Sequence, residues 1–538
     1  MANLARLRNF AADVTRALSA GEVRQHFIER REIALLDVRE EGPYAEAHPL
    51  FAASLPLSRI ELDVLDRLPR KTVPIVVYDE GEGLTQQASE ILRSIGYTDI
   101  SLLEGGLAGW RGAGAEVFRD VNAPSKAFGE LVEARRHTPS IGADELNAKL
   151  QAGENLVVLD ARPFEEFRTM SIPSATSVPG GELVLRVREL APDDDTLVIV
   201  NCAGRTRSII GAQSLVNAGI PNPVAALRNG TIGWTLAGLR LDHGQSRRYS
   251  EVTAESQSRF VSAARALAET AGVGRIDRSV LWKWKRDPTR TLYLFDVRTP
   301  DEYRSGHLPG FRSAPGGQLV QETDVFAPVR GSRIVLADHD GVRANMSASW
   351  LAQMGWDVSV LSDIAGEKDW DHGHFRPSLP PPPPIIGIGV DALAALVTEQ
   401  QVTIIDFGRS AEYQRGHLPG AWLALRSQLA SVALAVSPKL PIVLTSSDGA
   451  LAAYVAPELE RRTGLEARVL AGGTAAWMAA GHRVDTGLTR TLAPAIDAYK
   501  RPYEGTDNPH AAMQAYLDWE FGLVAQLERD GTHHFHVI

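Results

Sequence analysis

Short, unbroken apolar runs recur along the chain, each followed by a polar or glycine-bearing loop and then by a stretch with helical spacing. IALLD, LVVLD, LYLFD and VTIID begin at 33, 156, 292 and 402, and each closes on an aspartate: Asp37, Asp160, Asp296 and Asp406. A second series, VPIVVY, TLVIVN, SRIVLA and LPIVLT, begins at 73, 196, 332 and 440. Val/Ile/Leu runs without polar alternation predict strands covered on both faces, as in a parallel sheet. RSIIGAQSLVNAGI at 207 to 220 shows the helical stretch that follows, and TDISLLEG and WDVSVLSD the next small strand. Strands alternating with helices predict an α/β fold, an open and mainly parallel sheet flanked by helices.

The pattern is an internal repeat. Arginine follows two residues after the first three aspartates, at Arg39, Arg162 and Arg298. A glycine-rich turn ends in Trp110, Trp234 and Trp477, at 73, 74 and 71 residues from the opening aspartates, a regularity that marks repeated units. The third unit lacks this turn and ends around LSDIAGEKDW. Four tandem domains are therefore expected near 1 to 120, 135 to 245, 270 to 380 and 385 to 485, with a helical C-terminal extension over 486 to 538. Residues 249 to 271 read as a connecting helix and LPPPPP at 379 to 384 as a stiff spacer. The terminal THHFHVI lacks acidic or cysteine neighbours at ligand spacing, so no metal site and no cofactor are expected.

Composition narrows the classes of function. With 56 basic against 66 acidic side chains, the net charge of −10 gives no long-range attraction to nucleic acid or anionic lipid. No apolar run is long enough to span a membrane. The opening MANLARLRNFAADVTRAL has no compact apolar core before a small-residue cleavage site, so the expected location is cytoplasmic. The single cysteine, Cys202, excludes an intramolecular disulfide and a thiolate-rich metal site.

Aligned on the second strand, the four units place different residues at one position: Asp79, Cys202, Asp338 and Ser446. Only the second has a sulfur nucleophile. Cys202 stands where a strand ends and a helix begins, at the carboxyl edge where open α/β sheets bind ligands. A tight loop running into a helix N-terminus turns N–H groups inward as an anion cradle. These dipoles, with Arg205 and Arg207, are expected to lower the thiol pKa. Gly204 is expected to let the backbone turn, and Ser208 to cap the helix or hydrogen-bond the sulfur. Asp160 and Arg162 are expected to brace the neighbouring loops.

The openings D-x-R…E-Y/F…G-H-L-P-G, clearest in EYRSGHLPG and EYQRGHLPG, the loop CAGRTRS and the closing G-G-x-x-x-W resemble the rhodanese (thiosulfate sulfurtransferase) homology domain over about 450 of the 538 residues. The resemblance implies four rhodanese-like domains, of which the second is catalytic. It implies a persulfide on Cys202, formed from a small anionic donor such as thiosulfate or a persulfide and discharged to a thiol, cyanide or protein acceptor. The family loop falls on Cys202, Ala203, Gly204, Arg205, Thr206 and Arg207, with both arginines orienting the anion. The second unit reads EEFRTMSIPSA and so departs from the family's Gly-His pair. Asp79, Asp338 and Ser446 are degenerate counterparts of the nucleophile, although Arg343 could leave a relic anion site.

Two rivals stand beside this reading. Fused cysteine-less copies point to a non-catalytic scaffold or persulfide-binding regulator. A cysteine phosphatase or arsenate reductase also joins a cysteine to an arginine-bearing loop, but the phosphatase cradle places its arginine six positions on, where this chain has Ser208.

Overall fold

The computed structural model describes residues 16–364, 370–435 and 440–538. Most of the N-terminal amphipathic run, and part of the segment closing the third unit, lie outside these. Among the described residues there are four five-stranded sheets, within which the named strands pair in parallel. In the second domain the strands cross the sheet in the order Ser140–Ile141, Val224–Leu227, Leu197–Asn201, Leu156–Asp160, Thr176–Ser177, and the other three domains repeat that order.

The apolar runs occupy the middle of each sheet. Val198 and Val200 enter one apolar cluster and Val158 and Ile199 another, so both faces are covered. The register sets Asp160 opposite Asn201 at the carboxyl ends of the central strands, and Cys202 follows directly. Trp110, Trp234 and Trp477 are buried, and each indole N–H donates to the carbonyl six residues on, at 2.8, 2.9 and 2.9 Å.

The domains are not beads on a string. Gly181 and Gly317 bring the second and third into backbone contact: a Cβ on Gly181 would lie 2.8 Å from the Gly317 nitrogen. Arg426 of the fourth domain ties to Glu61 of the first. The connecting helix, Ala254–Thr270, packs on the third domain's helix Arg343–Gln353. The segment between the first two domains is itself a helix, Ala123–Arg136, buried over most of its length against helix Thr206–Asn217.

The extension forms helices His510–Phe521 and Leu523–Asp530. Its terminal residues return to the first domain. Phe535 meets Phe128 and Phe51 edge-on, with ring centroids 5.4 and 6.1 Å apart.

Candidate active site

The strand Leu197–Asn201 delivers Cys202 into the loop that ends where helix Thr206–Asn217 begins. Behind the loop, Asp160 accepts from the backbone N–H, Nε and Nη2 of Arg162 and from Asn201 Nδ2. Arg162 Nη2 also donates to the Met170 carbonyl at 2.6 Å, holding the neighbouring loop. Asp37 and Arg39, and Asp296 and Arg298, repeat this buried pair. Asp160 and Arg162 are buried and do not line the pocket over Cys202, whereas Arg39 reaches Glu80 in its own loop at 2.9 Å.

Cys202 is 2% exposed. Its thiol donates to Ser208 Oγ at 3.5 Å, while that hydroxyl donates to the Arg205 carbonyl at 2.8 Å. Ser208 therefore faces the sulfur. Burial raises the thiol pKa, against the opposing pull of Arg207 and Ser208, and the nearby Glu520 raises it further. The expected lowering is thus overturned, because desolvation outweighs one guanidinium and the helix-end donors.

The two arginines are already engaged. Arg205 forms a two-pronged ion pair with Glu130, at 2.7 and 2.9 Å, and a further pair with Glu133, both from helix Ala123–Arg136. Its guanidinium also lies 4.2 Å from the ring of Phe521. Arg205 thus ties the loop to helix Ala123–Arg136 while still lining the pocket over Cys202. Arg207 pairs with Glu166 through two bonds of 2.9 Å. Arg343 pairs likewise with Glu302, and with Glu182 and Asp340, so it leaves no relic anion site.

The sister loops show what the cradle accepts. The Asp79 carboxylate receives the N–H groups of Gly81, Leu84 and Thr85 at 3.1, 2.7 and 3.3 Å. Asp338 receives those of Gly341 and Ala344 at 3.1 and 2.7 Å, and Ser446 Oγ receives that of Ala452 at 3.3 Å. Thr85, Ala344 and Ala452 stand six residues after these acceptors, as Ser208 does after Cys202. In two of the three copies without a cysteine at this position, a carboxyl oxygen takes up the loop's amide donors.

Above the loop is a pocket of about 20 Å³, room for about one water-sized occupant. Ser125, Lys126, Gln321, Tyr503, Tyr516 and Glu520 close it over Cys202–Arg207. Gly204 is not left-handed. A Cβ there would lie 3.2 Å from Tyr516 Cε1 and 3.3 Å from Glu520 Oε2, so its smallness admits the extension rather than a turn. None of this covering set carries a signal in the sequence; the partner of Arg207 does, because the glutamate before the aromatic, Glu166, recurs as Glu302 and Glu412. No group of metal ligands occurs among the described residues.

A model of the rhodanese-like domain matches residues 19–113, 142–237, 277–364 and 389–480. The chain is 56% identical to thiosulfate sulfurtransferase from Pseudomonas aeruginosa, whose crystal structure superposes with a TM-score of 0.96, covering 97% of this chain and 100% of that one. It is 34% identical over 110 residues to an uncharacterized protein of Synechocystis sp., covering 20% of this chain and 60% of that protein. It is 29% identical over 194 residues to 3-mercaptopyruvate sulfurtransferase of Escherichia coli K12, covering 31% and 66%. The chain spans about half to two thirds of the length of these and other curated relatives.

Proposed function

The chain belongs to the rhodanese-like domain family, and from that premise we propose that it is a sulfurtransferase that moves sulfane sulfur from an anionic donor to a thiophilic acceptor through a persulfide on Cys202. The similarity to thiosulfate sulfurtransferase along nearly the whole chain supports the reaction class. The observation that carries the site assignment is the occupancy of the sister cradles. The amide that holds the Asp79 carboxyl through Thr85, and the Asp338 carboxyl through Ala344, is in the second domain that of Ser208, whose backbone and hydroxyl both act on the Cys202 sulfur.

With thiosulfate as donor, the Cys202 sulfur attacks the outer sulfur. A new S–S bond forms, the donor's S–S bond breaks, and sulfite departs with the electron pair and the thiol proton as bisulfite. The negative charge then rests on the outer persulfide sulfur, within reach of the cradle donors and the field of Arg207. An acceptor thiol attacks that outer sulfur and leaves as a persulfide anion, while its proton returns to Cys202. Cyanide takes the sulfur as thiocyanate, with a solvent proton restoring the thiol. Because the thiol is buried and protonated at rest, the donor must enter beneath the extension before reaction. The loops of the first, third and fourth domains hold their own acceptors and serve as architecture.

Intact-mass measurement after exposure to thiosulfate, mercaptopyruvate and glutathione persulfide tests the reading. The wild type gains about 32 Da from at least one donor, and Cys202→Ser gains nothing while keeping its fold. Thiosulfate:cyanide turnover by Cys202→Ser, or no gain from any donor, overturns it.

A further inference from the structure

Glu520, in helix His510–Phe521, is a fully buried carboxyl lining the pocket it shares with Cys202, Gly204 and Arg207. Its Oε1 accepts from the Tyr516 hydroxyl at 2.8 Å, whereas Oε2 has no partner among the described residues. The surrounding charges are committed elsewhere. From helix Ala123–Arg136, Lys126 binds Asp120 at 2.8 Å and faces the rings of Tyr503, Tyr516 and Trp519, while Glu130 holds Arg205. From the loop, Arg207 holds Glu166. Burial, opposed by Lys126 and aided by Glu130, pushes the Glu520 carboxyl up to about 8. At neutral pH it is therefore an acid whose O–H faces a pocket holding the reactive sulfur, and an unpaired buried donor costs free energy until an acceptor arrives.

Resting on the sulfurtransferase reading, we propose that Glu520 donates a hydrogen bond to the outer sulfur of the Cys202 persulfide, closing from above the anion cradle that the loop N–H groups form below. The extension thereby becomes part of the active site. A neutral carboxyl is the chemistry required there: its O–H shields the single negative charge that sulfur transfer leaves in the pocket, whereas a carboxylate would oppose that charge at close range. The bond forms when sulfur is loaded and is lost when the acceptor removes it, so it favours the loaded enzyme over the empty one.

The test loads full-length protein with thiosulfate, removes the donor, adds a fixed excess of cyanide, which leaves with the outer sulfur as thiocyanate, and follows loss of the added mass between about pH 6 and 9.5. Glu520→Gln retains a donor of the same shape that does not titrate; Glu520→Met retains only bulk. The ratio of the wild-type rate of sulfur loss to that of Glu520→Gln, which cancels the ionisation of the acceptor, rises above about pH 8. Glu520→Met loses it roughly ten-fold faster than wild type at neutral pH, as expected for one charge-assisted hydrogen bond. Should Glu520→Met fail to fold, the Glu520→Gln profile alone decides. Normal loading with superimposable wild-type and Glu520→Gln profiles overturns this inference and leaves the sulfurtransferase reading standing. A wild type that never gains sulfur overturns both.

Discussion

Asp79 and Cys202 occupy one position in two copies of one loop, a carboxyl in the first and a thiol in the second. Asp79 accepts from three loop amides. Asp79→Ala should cost about 2 kcal/mol, the scale of a charged hydrogen bond lost from a buried site, and should open the cradle to an external anion. Sulfate would then raise the melting temperature of the variant more than that of the wild type, compared at equal ionic strength; equal shifts would refute the cradle. Arg207 poses the converse problem, because its removal strands Glu166. Arg207→Met is expected to lose about 3–5 kcal/mol in urea unfolding, and the double variant Glu166→Gln/Arg207→Met to recover most of it. Both should still bind thiosulfate more weakly, since the field at Cys202 is gone, and unchanged donor KM in the double variant would remove Arg207 from the site.

At the scale of elements, helix Ala123–Arg136 and helix His510–Phe521 convert an open loop into a closed pocket. The first supplies Glu130 and Glu133 to Arg205, and the second sets Tyr516 and Glu520 against Gly204. Their covering explains why the thiol is harder to ionise than a loop at a helix end would suggest. Tyr516→Ala, which removes one wall while leaving the loop intact, should speed alkylation of Cys202 by a neutral reagent about ten-fold, equivalent to an opening easier by about 1.4 kcal/mol. Mass spectrometry of the labelled cysteine checks it, and an unchanged rate would mean that Tyr516 does not limit access.

Across the whole molecule, stability depends on carboxyls that folding forces to stay neutral. Burial raises both Glu520 and Asp338 to about 8, with Asp340 adding to the shift of Asp338. Between the ordinary carboxyl range and about pH 8 the folded chain keeps protons that the unfolded chain releases, so these groups lower stability progressively as pH rises through that window. Glu520→Gln removes one of them, and its gain over wild type in denaturant unfolding should be larger at about pH 7.5 than at about pH 5.5. An equal gain at both values would contradict the shift. Domain packing gives a second expectation at this scale. Gly181→Val drives a side chain into the Gly317 backbone and should lower the melting temperature by prising apart the second and third domains.

The four parallel sheets were legible in the chain because two-face burial writes itself as uninterrupted apolar runs, and because repetition turned weak local signals into strong ones. LVVLD and TLVIVN predicted neighbouring strands, and the structure pairs them from Leu156 with Leu197 to Asp160 with Asn201. The position of Cys202 at a strand end, and the glutamate before the aromatic residue that reaches Arg207, are also local or repeated features. What covers the loop is neither. Glu130, Gln321, Tyr516 and Glu520 come from parts of the chain separated by up to several hundred residues and belong to no repeat. Sequence therefore determined where the only thiol stands and what kind of cradle surrounds it. Tertiary structure alone decided that the thiol is buried, that Arg205 is ion-paired with Glu130 and Glu133, and that the buried carboxyl of Glu520 lies over the loop, because desolvation and ion pairing depend on which distant surfaces meet there.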